Sequence, residues 1–380
     1  MKVAFIVPDL SENPIGRTHE LAKALEPFHE ITMAGYIDHR GLYPPYASEW
    51  TYITEPLTGY PGAAFSAARL FKRIDAQVVI ASKARPLSLG AALEYRRRTG
   101  ALVFVDVDDW ELGGELDRPW WSFLGRCLDL RRNTHPWRLH QMETACRSGV
   151  PDGVFCVSSF LQKRLGGEIL PHAVDAAMFD PARFDRAELR RKYGLPADEF
   201  LLIFTGAVRK HKGIAQLLEA LDALPPHVKL LAVTHALPDD LARRHAHRLH
   251  LMGYQPRGKL PELLALADAC ALPQQPTNFA AAQMPAKLPE AMAAALPVIA
   301  AKLADIPEVL GGGGLIVDTD PASLARAVRS LAESPELRLK LGNEGRKRVL
   351  ENYTLEHMRR RLEAAFERGF EARSRRNLTP

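Results

Sequence analysis

Phe200-Leu201-Leu202-Ile203-Phe204-Thr205-Gly206-Ala207-Val208-Arg209-Lys210-His211-Lys212-Gly213 divides into three parts. Phe200–Thr205 is a short, nearly all-apolar run, the signature of a strand buried on both faces. Gly206 closes it and a basic loop follows. A helical pattern, Gly213–Ala223, starts where the loop stops. Strand, loop and helix in that order make one arm of a βαβ unit, so the strand belongs to a parallel sheet covered by helices.

The same alternation extends both ways. Downstream, Val228–Thr234, His250–Gly253, Ala269–Leu272, Pro297–Ala301 and Leu315–Val317 read as strands. Helical patterns intervene at Pro238–His247, Leu260–Ala267, Ala286–Ala295 and Ser323–Glu333. Upstream, Val3–Val7, Glu30–Ala34, Gln77–Ala81, Leu102–Val105 and Gly153–Val157 read as strands, with helices such as Gly16–Glu26 and Ser88–Arg98 between them. The rhythm lapses around residues 171–195, where Pro171, Pro181 and Pro196 fall. Two doubly wound α/β domains are expected, residues 1–180 and 181–354. A charged helical tail follows. Leu355, Met358, Leu362, Phe366 and Phe370 form one apolar stripe along this tail, residues 355–380, which must therefore pack on something.

At 380 residues the chain is long for one such domain and comfortable for two. A net charge of +5 suits anionic substrates or an anionic membrane surface and is too small to argue for nucleic acid. Cys127, Cys146, Cys156 and Cys270 include no C-x-x-C pair, so neither a zinc nor a redox site is indicated. The apolar run Val3–Val7 is too short for a secretory signal, and Ala291–Ala301, broken by Pro297, is too short to span a bilayer. A cytoplasmic protein is expected, with any membrane contact peripheral. No G-x-G-x-x-G follows Val3–Val7, which argues against an NAD-dependent oxidoreductase.

Ligands of doubly wound folds sit beyond the carboxyl ends of the strands. Arg209 and Lys212 stand there, and a guanidinium and an ammonium beside a helix start suit a diphosphate. A solvated basic turn would carry the same residues. A second stretch, Met284-Pro285-Ala286-Lys287-Leu288-Pro289-Glu290-Ala291-Met292-Ala293-Ala294-Ala295-Leu296-Pro297-Val298-Ile299-Ala300, places Glu290 early in a helix. A carboxylate there either complements the helix dipole or accepts the hydroxyls of a ribose.

These two motifs, in this order, resemble the nucleotide-sugar half of GT-B-fold glycosyltransferases, and most of all the retaining group 1, or GT4-like, family. Ser158-Ser159-Phe160-Leu161, Leu170-Pro171-His172-Ala173-Val174-Asp175, Gly253-Tyr254, Ile306-Pro307-Glu308-Val309 and Tyr353-Thr354 extend the likeness over most of residues 150–365. The resemblance implies two Rossmann-like domains facing across a cleft, with a C-terminal helix crossing back. It implies transfer of a sugar from a nucleoside-diphosphate sugar to a hydroxyl of a glycan or lipid-linked glycan. Retention of configuration and no metal or other cofactor are implied as well. Arg209 and Lys212 would hold the donor diphosphate and stabilise the charge developing on it, and Glu290 would hold the ribose. The backbone around Gly253, Tyr254 and Gln255 and the loop after Pro273 would flank the base, and Lys287 would be a further substrate-binding residue.

The chain departs from the family pattern twice. A carboxylate that often touches the transferred sugar is replaced by Ala282, leaving Gln283 as a substitute donor. Ala295 stands where the pattern has Gly; in a left-handed helix end it costs ~1 kcal/mol. In the first half, Asp106-Val107-Asp108-Asp109 follows a strand. A D-x-D suggests a divalent cation; the family likeness instead puts Asp108 and Asp109 where a His-Asp pair faces the reacting sugar, with cap or loop carboxylates the plainer reading. In the first βα turn, Asn13-Pro14-Ile15-Gly16 offers only Gly16 for backbone approach to a phosphate, with Arg17 and His19 beyond it; a simple turn is the plainer reading.

Trp120-Trp121-Ser122-Phe123, followed by Arg126, Arg131, Arg132, Trp137 and Arg138, reads either as core with a solvated face or as a surface resting on anionic lipid. A nucleotide-sugar epimerase of the same fold and a non-catalytic binder of nucleotide sugar or glycan are the alternative functions; the Ala-rich loop argues against the first and Ala282 keeps the second open.

Overall fold

The computed structural model describes residues 1–253 and 255–378, excepting the side chains of 278, 279 and 376–378. Tyr254, expected to flank the base, lies outside the described residues. The chain forms two compact units. One comprises Met1–His172, Ala281–Met284 and Leu355–Pro380; the other comprises Ala173–Ala280 and Pro285–Thr354.

The first unit is a seven-stranded parallel sheet of β1 (Lys2–Val7), β2 (Glu30–Ile37), β3 (Tyr52–Pro56), β4 (Val78–Ser82), β5 (Leu102–Val107), β6 (Gly153–Cys156) and β7 (Glu168–Ile169), in the order β3-β2-β1-β4-β5-β6-β7. Residues Val3–Val7 are completely buried because β1 is central and covered on both faces. The winding reverses between β1 and β4, which opens a crevice beyond their carboxyl ends. The edge strands β3 and β7 have no counterpart in the sequence pattern. β3 is only partly buried and ends in Pro56, and β7 is two residues long.

The C-terminal helix Leu355–Leu378 packs on this unit. Met358, Leu362 and Phe366 are buried, each worth about 1.5–3 kcal/mol of transfer energy. The Phe366 ring lies 5.1 Å from that of Phe104. The seam does not continue to Phe370, which is exposed; Gly369 faces Leu102 and Phe104 instead.

The second unit is a six-stranded parallel sheet of β8 (Phe200–Thr205), β9 (Val228–Val233), β10 (Leu249–Met252), β11 (Ala269–Leu272), β12 (Val298–Ala301) and β13 (Gly314–Val317), in the order β10-β9-β8-β11-β12-β13. Leu217, Leu218 and Leu221 of the helix Ile214–Asp222 join Leu324, Val328 and Leu331 of the helix Pro321–Glu333 in one core. Here the winding reverses between β8 and β11. The helix Lys287–Ala293 ends in a Schellman motif: Ala295 N donates to Met292 O, and Leu296 N to Ala291 O, both at 3.0 Å. Ala295 takes the left-handed position, φ +55°, normally given to Gly.

Candidate active site

In the second unit the crevice is framed by the loops after β8 and β11. Gln275 N donates to His211 O at 2.8 Å, and Gln275 Oε1 accepts from Thr319 at 3.3 Å. The loops meet so closely that a Cβ at residue 213 would lie 1.9 Å from Pro273 O, and Gly213 also has φ +70°. Only glycine fits there. The basic loop is thereby held against its neighbour, with Arg209 exposed and Lys212 half-buried.

Lys287 opens the helix Lys287–Ala293 and points back across this loop. Its ammonium sits 5.0 Å over the Phe204 ring and against Gly206, whose missing side chain makes the room. No carboxylate is in ion-pair contact with it among the described residues. Burial pushes its pKa below the usual lysine value; the nearby Arg209 adds to this, while Cys270 and Glu290 work against it. Glu290, one helical turn on, is buried and pairs with Arg257 at 3.3 Å. Arg257 lies in the short turn Arg257–Lys259, four residues beyond the exposed Gly253. Arg209, Lys212, Lys287 and Glu290 therefore gather at one topological switch point, the last with a partner the sequence did not reveal.

The first unit's crevice is built on charge compensation. Lys83, directly after β4, is buried at φ +66° and donates to Asp108 at 2.7 Å and Asp109 at 2.5 Å, with Glu111 at 3.4 Å. Arg85 closes the cluster on Glu111 through two bonds of 2.8 and 2.7 Å. Two cations thus face three carboxylates. Burial raises the pKa of Asp108 against the pull of Lys83. At Asp109 burial acts in the same sense, but Lys83 and a 2.5 Å hydrogen bond from Gln283 Nε2 together hold it down to about 2. Lys83 and Arg85 were missed in the sequence, although Lys83 follows a buried strand as Arg209 nearly does.

Three expectations change here. Gln283 packs in the first unit, where its amide nitrogen serves Asp109, and its Oε1 is buried without a hydrogen-bond partner among the described residues. Gly16 is no longer a turn residue: the helix begins at Pro14, and the Gly16 N–H is bonded to Asn13 O at 2.9 Å, so it is not available to a phosphate. Asp106 is enclosed by Arg17, which donates to its two oxygens at 3.1 and 3.2 Å, to Glu20 at 3.1 Å, and to Leu170 O and Pro171 O at 2.7 and 3.1 Å. The D-x-D pair is therefore split between a buried ion pair and the Lys83 cluster.

Beside this cluster a cavity of about 290 Å³ is lined by Asp9, Gly59, Arg85, Arg131, Arg132 and Asn133, among others. A larger one, about 780 Å³, lies by Asp152 and Gly153 at the opposite, amino end of β6, away from the crevice of this unit.

Residues 185–348 match the family model of glycosyl transferases group 1. The second unit is a group 1 glycosyltransferase domain. Similar curated proteins include a D-inositol 3-phosphate glycosyltransferase from Segniliparus rotundus, 28% identical over 47% of this chain and 42% of that protein. An alpha-maltose-1-phosphate synthase from Mycolicibacterium smegmatis is 26% identical over 50% of this chain and 54% of its own length. The chain spans about half the length of the curated relatives it matches. Among solved structures, sucrose-phosphate synthase from Thermosynechococcus elongatus aligns over 98% of this chain and all of its own, with a TM-score of 0.73 at 19% identity. Anabaena HepE, solved in complex with UDP and glucose, aligns over 97% of this chain and 99% of its own, with a TM-score of 0.74 at 16% identity. The chain has the GT-B fold, and the group 1 domain carries the cationic crevice described above.

Proposed function

We propose that this protein transfers a sugar from a nucleoside-diphosphate sugar to a hydroxyl of a glycan or lipid-linked glycan, with retention of configuration and without a metal. The observation that supports this most is the convergence of Arg209, Lys212 and Lys287 on the β8–β11 switch point, with Lys287 a half-buried cation that makes no ion pair among the described residues. Such a site is complementary to a diphosphate. Glu290 and Arg257 would receive the ribose and frame the base, and Gly253 would border it.

In this reading the acceptor hydroxyl attacks the anomeric carbon from the face the diphosphate is leaving. The bond from that carbon to the phosphate oxygen breaks, a bond to the acceptor oxygen forms, and the acceptor proton passes to the departing diphosphate. Arg209, Lys212 and Lys287 stabilise the charge that grows on the diphosphate, and such preorganised charge is where most of the rate gain comes from. Asp108 and Asp109, held by Lys83, would orient acceptor hydroxyls, and the cavity lined by Asp9, Arg85 and Asn133 is of a size for a sugar ring.

A thermal-shift panel of UDP, GDP, dTDP and ADP, with and without magnesium, tests the donor half. One diphosphate is expected to stabilise the chain equally in both conditions. Acceptor-independent hydrolysis of the corresponding nucleotide sugar then separates an enzyme from a binder; no shift with any nucleotide refutes the assignment.

A further inference from the structure

The helix Trp120–Leu128 is turned inside out. Trp120, Trp121, Leu124 and Leu128 fall on one face, and that face is exposed, at 77, 65, 52 and 75%. No residue of the helix is buried. Its inward side carries the half-buried Ser122, Phe123, Arg126 and Cys127; Arg126 pairs with the buried Glu115, and the Cys127 carbonyl accepts from His135 Nε2 at 3.0 Å. These anchors fix the rotation of the helix, so the apolar face points to water by construction. Trp137, 62% exposed, adds a third indole close by in sequence. Isolated apolar residues on a surface need no explanation, but a face of this kind marks a docking site.

The charge around it selects the partner. Residues 115–140 contain five arginines against Glu115 and two aspartates, a net charge of +2. Arg118 and Arg131 are exposed, and Arg138 stacks 3.7 Å over Tyr60. A two-fold pairing with a second copy would bring these arginines against their own equivalents. An anionic bilayer meets both requirements at once: indoles favour the headgroup boundary, and guanidinium groups favour the negative surface. Among the described residues no helix is long and apolar enough to cross a membrane, so the contact is with one leaflet.

We infer that the Trp120–Leu128 face, rimmed by Arg118, Arg131 and Arg138, is a docking surface for anionic phospholipid bilayers. Arg131 and Arg132 also line the 290 Å³ cavity of the same unit, so docking sets that cavity at the lipid surface. This inference does not depend on the donor site, and its test does not use activity.

The test is cosedimentation of the full chain with phosphatidylcholine vesicles, with and without phosphatidylglycerol. Partition onto the anionic vesicles is expected, weakening with salt. The double variant Trp120→Ala/Trp121→Ala is expected to lower it at least about tenfold, with melting temperature unchanged; Leu339→Ala, equally exposed in the other unit, leaves partition intact. For the wild-type chain, brominated phospholipid is expected to quench tryptophan fluorescence, a readout that needs no variant. Equal binding to neutral vesicles, partition insensitive to the double variant, an absence of quenching, or a Trp120-dependent dimer in sedimentation velocity without vesicle binding would each overturn the inference.

Discussion

Lys287→Met separates binding from stability at the proposed donor site. In the free protein the ammonium sits over Phe204, half-buried and with no ion-paired carboxylate among the described residues, and burial lowers its pKa. Its proton is therefore held less tightly than in the unfolded chain. A lysine depressed in this way carries a penalty at neutral pH that disappears only above its ordinary value of 10.5. Methionine has similar length and packs against the ring, so it removes the penalty and forfeits a cation–π contact worth about 0.5–1 kcal/mol together with the attraction of Glu290. The melting temperature of the free variant is expected to stay level or rise. Nucleotide affinity should move the other way. A hydrogen bond to a charged group contributes about 1.5–3 kcal/mol, so affinity for the cognate nucleoside diphosphate is expected to fall about 10- to 150-fold. A bound diphosphate would raise the Lys287 pKa, so at a pH between the free-state and bound-state values binding takes up a proton, and affinity falls as pH climbs through that interval. Isothermal titration in buffers of different ionisation enthalpy reads that uptake, and the variant should lose it. A variant that melts lower yet binds diphosphate with unchanged affinity and proton uptake would show that Lys287 is a structural cation and refute the clamp.

Two other residues give predictions of their own. Ala295→Gly is expected to stabilise the chain by about 1 kcal/mol, because residue 295 already occupies the left-handed position of a Schellman motif; a lower denaturant midpoint at unchanged slope would contradict this. Gln283→Ala removes a 2.5 Å bond from Asp109, whose pKa of about 2 should climb toward its ordinary 3.8. A depressed carboxylate contributes stability that is present above its unfolded pKa and lost as pH falls through its folded one, about 2 kcal/mol here. The variant is therefore expected to unfold at higher pH on the acid side, followed by circular dichroism, with the Asp109 titration read by carboxyl-carbon NMR.

The sequence announces those parts of the fold whose physics is local. Phe200–Thr205 and Ala269–Leu272 have the expected bounds because a strand buried on both faces is a plain apolar run. Arg209, Lys212, Lys287 and Glu290 come together as their positions after strands and at a helix start suggest. Tertiary partners leave no such mark. Nothing in the order of residues joins Lys83 to Asp108 and Asp109, Arg17 to Asp106 across 89 positions, or Arg257 to Glu290. Gln283 shows the same limit: the family likeness suggests a sugar contact, while the structure gives its amide to Asp109. The helix Trp120–Leu128 is plainly amphipathic in sequence, but only Arg126 and His135 decide which of its faces is outward.

The two crevices are electrostatic opposites, and the difference follows from what each would bind. In the group 1 domain Lys287 makes no ion pair among the described residues and Arg209 faces solvent, so part of the cost of desolvating a cation is carried by the free protein and recovered when an anion arrives. In the first unit every carboxylate of the cluster is engaged by Lys83, Arg85 or Gln283 before any ligand binds. A saturated cluster gains little from a further charge, but its oxygens keep unused lone pairs in fixed directions, which suits neutral hydroxyl groups. Lys83 holds them from a backbone conformation, φ +66°, that costs about 1–3 kcal/mol and persists because its N–H is bonded to Asp106 O at 2.7 Å and its carbonyl accepts from Ser88 Oγ at 2.7 Å. Strain maintained at that position is accounted for by the aim it gives the ammonium. The chain thus keeps unsatisfied charge where a diphosphate is proposed to bind and satisfied charge where a sugar hydroxyl is.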